Sequence, residues 1–180
     1  MNAIHRILAL GAASAALALA SPAIAALATG AKAPSFSAQG ARAGKSVKVD
    51  LASALKKGPV VLYFFPAAFT PGCNIEANAF AHSIADFQKA GATVIGMTAG
   101  NTDQLLDFSA KECAGKFTVA KASPALAKAY DVTMAQRPDW TDRTTYVIAK
   151  DGTIVEAFSD MSPKGHITRS LAAVRKLAAK

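Results

Sequence analysis

The stretch Val60-Val61-Leu62-Tyr63-Phe64-Phe65-Pro66-Ala67-Ala68-Phe69-Thr70-Pro71-Gly72-Cys73 decides the reading of this chain. Its first six residues are apolar or aromatic without alternation, the pattern of a strand buried on both faces in the parallel part of an α/β sheet. Pro66 stops the strand. Pro71 and Gly72 break the chain again before Asn74-Ile75-Glu76-Ala77 opens a helical pattern. A single cysteine, Cys73, is thereby delivered to a strand's C-terminal edge and a helix's N-terminal end. The free amide groups there favour the thiolate over the thiol, and the thiolate is the nucleophilic form.

Outward from this stretch the chain alternates strands with helices. Ala26 to Gly44 is rich in Ala, Gly and Ser and reads as an arm with little regular structure. Ser46 to Leu51 alternates, with Val47, Val49 and Leu51 on one side, and predicts a half-buried edge strand. Lys56 to Pro59 reads as a turn. Cys73 to Ala90 places Ala77, Phe80, Ile84 and Phe87 on one helical face. A strand at Thr93 to Met97 follows, then a helix capped at Asn101-Thr102-Asp103 and running to about Ala114. Phe117 to Ala120 predicts a short strand, and Ser123-Pro124 opens a helix through Tyr130. Thr144 to Ala149 and Thr153 to Phe158 form a hairpin around Lys150-Asp151-Gly152, and a last helix spans Ile167 to about Ala179. With no repeats or linkers, this order gives one α/β domain, a three-layer sandwich with a mixed central sheet.

The first 25 residues are a different material. Arg6 supplies a positive end, Ile7 to Ala20 an apolar run and Ala23-Ile24-Ala25 a small-residue cleavage site, the pattern of a secretory signal peptide. The run is too short and alanine-rich for a membrane anchor. The expectation is a mature single domain of residues 26–180, periplasmic or secreted. The chain is basic, with 20 Lys and Arg against 12 Asp and Glu and a net charge of +8. Its lysines are scattered and no nucleic-acid motif accompanies them, so a solvated basic surface is the reading and nucleic acid is not expected as a partner.

Pro66, Thr70 and Cys73 match Pro-x-x-x-Thr-x-x-Cys, and with the Thr-Pro-Gly-Cys wording the chain resembles peroxiredoxins. Within them it is most similar to the bacterioferritin-comigratory, or Q-type, branch. The resemblance runs from Ala33-Pro34-Ser35-Phe36 to the last helix. It implies a thioredoxin-like fold and a thiol peroxidase acting on hydrogen peroxide and organic hydroperoxides, recharged by a thioredoxin-like or other thiol donor. It implies no cofactor, and a monomer or weak dimer. Cys73 is then the attacking sulfur. Thr70, about one turn upstream, reaches the thiolate or the peroxide. Pro66 either shields the site or simply ends the strand.

The resemblance also implies a fixed cation, and Arg143, just before a strand, is in a similar place to the family's arginine. Arg137, beside Pro138, is its competitor. Glu76 matches a glutamate common in the branch and stands behind the reacting groups; its alternative is a helix-capping acid. Position 78, where many Q-type relatives carry a second cysteine, is Asn78. A second family arrangement places that resolving cysteine in the helix after the next strand. There Cys113 lies on a stripe with Leu106 and Ala110, either as resolving partner or as a small core residue. His5, His82 and His166 show no metal-ligand spacing, and the latter two read as helix-surface residues. The competing functions are a thioredoxin-like disulfide exchanger, which needs a Cys-x-x-Cys that Thr70 and Glu76 preclude, and a binding module stapled by a Cys73–Cys113 bond.

Overall fold

The computed structural model describes residues 26–179; the expected signal peptide, residues 1–25, lies outside them. The strands are β1 (Ser37–Arg42), β2 (Lys45–Asp50), β3 (Val60–Phe64), β4 (Thr93–Thr98), β5 (Thr118–Lys121), β6 (Thr144–Ile148) and β7 (Ile154–Ser159). The helices are α1 (Leu51–Lys57), α2 (Pro71–Lys89), α3 (Leu105–Lys111), α4 (Pro124–Ala129) and α5 (His166–Ala178). The strands form one mixed sheet in the order β2-β1-β5-β4-β3-β6-β7. The run 60–64 lies in its interior, parallel to β4 and antiparallel to β6.

All five residues of β3 are buried, and their alternation divides the core in two. Val61, Tyr63 and then Phe65 face the layer that holds Ala77, Phe80, Ile84 and Phe87 of α2, Phe108 of α3 and Val174 of α5. Val60, Leu62 and Phe64 face Leu51 at the start of α1, Ala127 of α4 and the ring of Tyr130. Each fully buried side chain of this size contributes about 1.5–3 kcal/mol, which is why an uninterrupted apolar strand specifies the centre of the sheet. Among the described residues no helix is long and apolar enough to cross a membrane.

Four features depart from the sequence reading. The N-terminal arm contains β1, whose segment Ser-Ala-Gln-Gly-Ala-Arg has no apolar alternation to announce it. Backbone pairing holds it between β2 and β5, and Gly40 permits the approach: a Cβ there would stand 2.6 Å from the Val119 carbonyl oxygen. Leu51 belongs to a helix rather than to the edge strand, because Asp50 caps α1 by accepting from the Ser53 amide at 2.8 Å. Pro71 and Gly72 do not precede the helix but form its first turn, with proline at the first helical position, where its missing N–H costs nothing. Finally, a 3₁₀ turn at Thr102–Gln104 precedes α3, which ends at Lys111, so Cys113 lies in the turn beyond the helix.

Candidate active site

The loop between β3 and α2 is held by its backbone groups from β4, from the turn after β4 and from the segment before β6. Phe65 donates to the Met97 carbonyl at 3.0 Å and accepts from the Thr141 hydroxyl at 2.7 Å. The Pro66 carbonyl accepts from the Thr98 hydroxyl at 2.9 Å, and the Ala68 carbonyl from the Asn101 amide at 2.9 Å. Pro66 itself is buried. Ala67 and Gly100 form an isolated bridge so close that a Cβ on Gly100 would meet the Pro66 oxygen at 2.5 Å and the Ala67 Cβ at 2.6 Å. Phe69 then takes a left-handed conformation at φ 59°, a strained choice for a bulky residue that persists because its surroundings over-determine it. Its ring packs edge-on against Phe108 at 5.3 Å between centroids. This kink aims α2 so that Cys73 occupies its first turn, 1% exposed. Thr70, half-buried, spends its hydroxyl proton on the Ala67 carbonyl at 3.2 Å, which leaves its oxygen lone pairs to accept.

Arg143 lies against this turn from the residue before β6. Its Nη2 is 3.5 Å from the Cys73 sulfur, its Nη1 donates to the Glu76 carboxylate, and its Nε donates to the Met161 carbonyl at 2.9 Å. Gly72 leaves the room for this, since a Cβ there would stand 3.1 Å from Nη2. Burial works against the charge on Arg143, but Glu76 and Cys73 outweigh it and hold the cation more firmly protonated than usual. Glu76 feels the opposite balance: burial pushes its carboxyl up to about 7 despite the pull of Arg143. Glu76 Oε1 has no hydrogen-bond partner. A guanidinium of fixed planar geometry thus spans a carboxylate on one side and a sulfur on the other, an arrangement a lysine cannot reproduce. Arg137, the alternative cation, sits on an exposed loop with its guanidinium stacked 3.6 Å from the Trp140 ring centroid.

His82 is exposed, as expected, and His166 is not. His166 is fully buried at the first turn of α5, its ring edge-on to Phe158 at 4.8 Å. Its Nδ1 is 2.8 Å from the Thr145 hydroxyl and 3.7 Å from Glu76 Oε1, and its Nε2 is 2.9 Å from the Asp160 carbonyl. The signal was present in the sequence: His166, Ser170 and Val174 repeat at four-residue spacing on the buried stripe of α5. Among the described residues no cluster of His, Cys, Asp and Glu has the makings of a metal site.

Cys113 is also fully buried, but not on the expected stripe. Leu106 and Ala110 face solvent, and the buried side of α3 is Leu105, Phe108 and Ser109. Cys113 shares the apolar layer that contains Cys73, and both cysteines are free thiols. Burial pushes the Cys113 thiol well up, and the Glu112 charge adds to it. The turn that carries it is fastened to α2 by Asn78, whose amide donates to Glu112 at 2.7 Å, and by Lys116, which donates to the Ala81 carbonyl at 3.0 Å. In the sequence, Asn78 stands out only as a position without a cysteine.

The AhpC/TSA family model matches residues 29–157, well over half of the chain. Peroxiredoxin Bcp of Bacillus subtilis is 28% identical over 156 residues, covering 84% of this chain and 97% of that protein. The chloroplastic peroxiredoxin Q of Oryza sativa subsp. japonica is 31% identical over 149 residues, covering 82% and 67%. Among solved structures, peroxidoxin BcpB from Mycobacterium tuberculosis superposes with a TM-score of 0.73 at 26% identity, covering 83% of this chain and 97% of that one. AhpC from the same organism has the same fold, with a TM-score of 0.73 at 17% identity.

Proposed function

The chain belongs to the AhpC/TSA family, and from that membership we propose that it is a peroxiredoxin, a thiol peroxidase that reduces hydrogen peroxide and organic hydroperoxides through Cys73. The observation that carries this reading is the Arg143 fork, which offers one N–H to Glu76 and another to the Cys73 sulfur. A buried cation beside the sulfur is held in place for the negative charge that develops as a peroxide bond breaks. The thiolate attacks the terminal peroxide oxygen; an S–O bond forms as the O–O bond breaks. The departing alkoxide or hydroxide takes a proton from solvent and leaves as alcohol or water. Cys73 is left as a sulfenic acid, oxidised by two electrons. Thr70 offers its hydroxyl oxygen to the incoming peroxide, and Pro66 fixes the loop and keeps water away. Cys73→Ser removes the nucleophile and should abolish peroxide consumption; undiminished turnover would overturn the assignment.

The second half of the cycle falls to Cys113. It attacks the sulfenic sulfur, water leaves, and an intramolecular disulfide remains for a thioredoxin-like donor to reduce. The turn 112–116 must leave the core for this, and left-handed Ala114 and Gly115 make it easier to unwind than a helix. Wild type should lose two thiols per peroxide. Cys113→Ser should react once at a near-normal rate and then stop as sulfenic or sulfinic acid; full turnover with the same protein donor would make Cys113 a packing residue. The export pattern of residues 1–25 supports a periplasmic or secreted location under this proposal.

A further inference from the structure

The geometry points to His166 as a positioning residue for the Cys73 site: as a neutral imidazole with its proton on Nε2, it anchors the turn that orients Arg143 and offers Glu76 no competing donor. The inference rests on the thiol peroxidase reading. Its first support is the hydrogen-bond pattern. A carbonyl can only accept, so the 2.9 Å contact with Asp160 requires a proton on Nε2. The neutral ring then has a bare Nδ1, which accepts from the Thr145 hydroxyl at 2.8 Å. Both nitrogens are satisfied without any proton pointing at Glu76.

The second support is what His166 holds. Asp160 accepts from His166 Nε2 and donates its own amide to the Arg143 carbonyl at 3.2 Å. The next residue, Met161, takes the Arg143 Nε hydrogen at 2.9 Å. The short segment 160–161 therefore ties the imidazole to both ends of the arginine. Without the anchor, the guanidinium loses the constraint that aims Nη2 at the sulfur.

The third support is the orphan Glu76 Oε1, 3.7 Å from Nδ1. A proton on Nδ1 would create an imidazolium–carboxylate pair there and draw Glu76 away from the Arg143 fork. The charged and titratable groups facing the ring are Glu76 from α2, Arg143 before β6 and Asp160 after β7. Burial disfavours the charged ring and, with Arg143, outweighs the Asp160 carbonyl, which by itself would favour it, in line with a neutral imidazole.

The test is a double-mutant cycle on the second-order rate of Cys73 oxidation by hydrogen peroxide, with folding checked by circular dichroism. His166→Ala should slow the reaction roughly tenfold to a hundredfold, the usual cost of a misplaced reacting group. In an Arg143→Ala background the same substitution should cost nothing more. A normal rate for His166→Ala, or losses that simply multiply in the double variant, overturns the inference. Wild type is tested independently of any variant's folding: long-range ¹H–¹⁵N correlation at pH 7 should find the His166 proton on Nε2 and Nδ1 bare. Protons on both nitrogens, or on Nδ1 alone, refute it. A wild type that consumes no peroxide would instead strike the thiol peroxidase reading itself.

Discussion

Removing the guanidinium is the sharpest perturbation of the site. At 3.5 Å and an effective dielectric of about 20, a unit charge on Arg143 and a thiolate attract by about 5 kcal/mol. Part of that is offset by the cost of burying both, and loss of one preorganised donor commonly costs about 2.7–4 kcal/mol, or 10²–10³ in rate. Arg143→Ala should therefore lower the second-order rate with hydrogen peroxide at least about a hundredfold. The fold should survive, because Glu76, already raised to about 7, rises further without its partner and takes up a proton rather than stand charged in the core. Stopped-flow fluorescence suits the measurement, since the chain has one tryptophan, Trp140, whose indole Nε1 borders Gly100, the residue after β4 that bridges the Cys73 loop at Ala67. Acid-quenched mass analysis gives the rate independently. Arg137→Ala, which loses only a stack on Trp140, serves as control and should leave the rate unchanged. A wild-type rate in a folded Arg143→Ala protein would refute the reasoning, and a loss confined to Arg137→Ala would transfer the role.

Gly100→Ala forces a methyl to within 2.6 Å of fixed backbone and side-chain atoms of the Cys73 loop. It should cost about 1–3 kcal/mol in urea denaturation and slow Cys73 oxidation together, and retention of both would show the loop to be more compliant than its hydrogen bonds imply. Glu76→Gln tests a linkage. The native carboxyl keeps its proton up to about 7 while the unfolded one releases it near the ordinary 4.5, so Glu76 makes stability fall as pH rises through that window, by at most about 3 kcal/mol. The variant should lose this decline and retain the opposite slope of His166, whose lowered value makes stability rise as pH climbs toward 6.5. An unchanged pH profile of chemical denaturation would contradict it.

Cys73 is legible from local physics, at the end of a buried strand and the start of a helix. Pro66, Thr70 and Glu76 lie within the same strand–loop–helix passage, but their roles come from the family resemblance. Arg143 was legible through family resemblance, since a lone arginine before a strand carries no signal of its own. The departures have different causes. β1 is held by pairing rather than by pattern. The 3₁₀ turn at Thr102–Gln104 advances three residues per turn and shifts the phase of α3, which moved the buried stripe from Leu106 and Ala110 to Leu105, Phe108 and Ser109. The four-residue repeat of His166, Ser170 and Val174 marks the buried stripe of α5, but the polar partners that satisfy the ring, Thr145, Asp160 and Glu76, are distant in sequence or outside its helix and leave no local pattern.

The Arg143 fork has a bearing on how the chain acquires its reactivity. Cys73 and its helix turn can form locally, whereas the cation comes from 70 residues further along and its partner Glu76 from 67 residues before it. Such long loops close late, because their entropy must be overcome before the contact rewards it. The cation arrives only when β6 docks between β3 and β7. Until then the Cys73 sulfur lacks its fixed partner charge, and chemical competence serves as a marker that the sheet is complete.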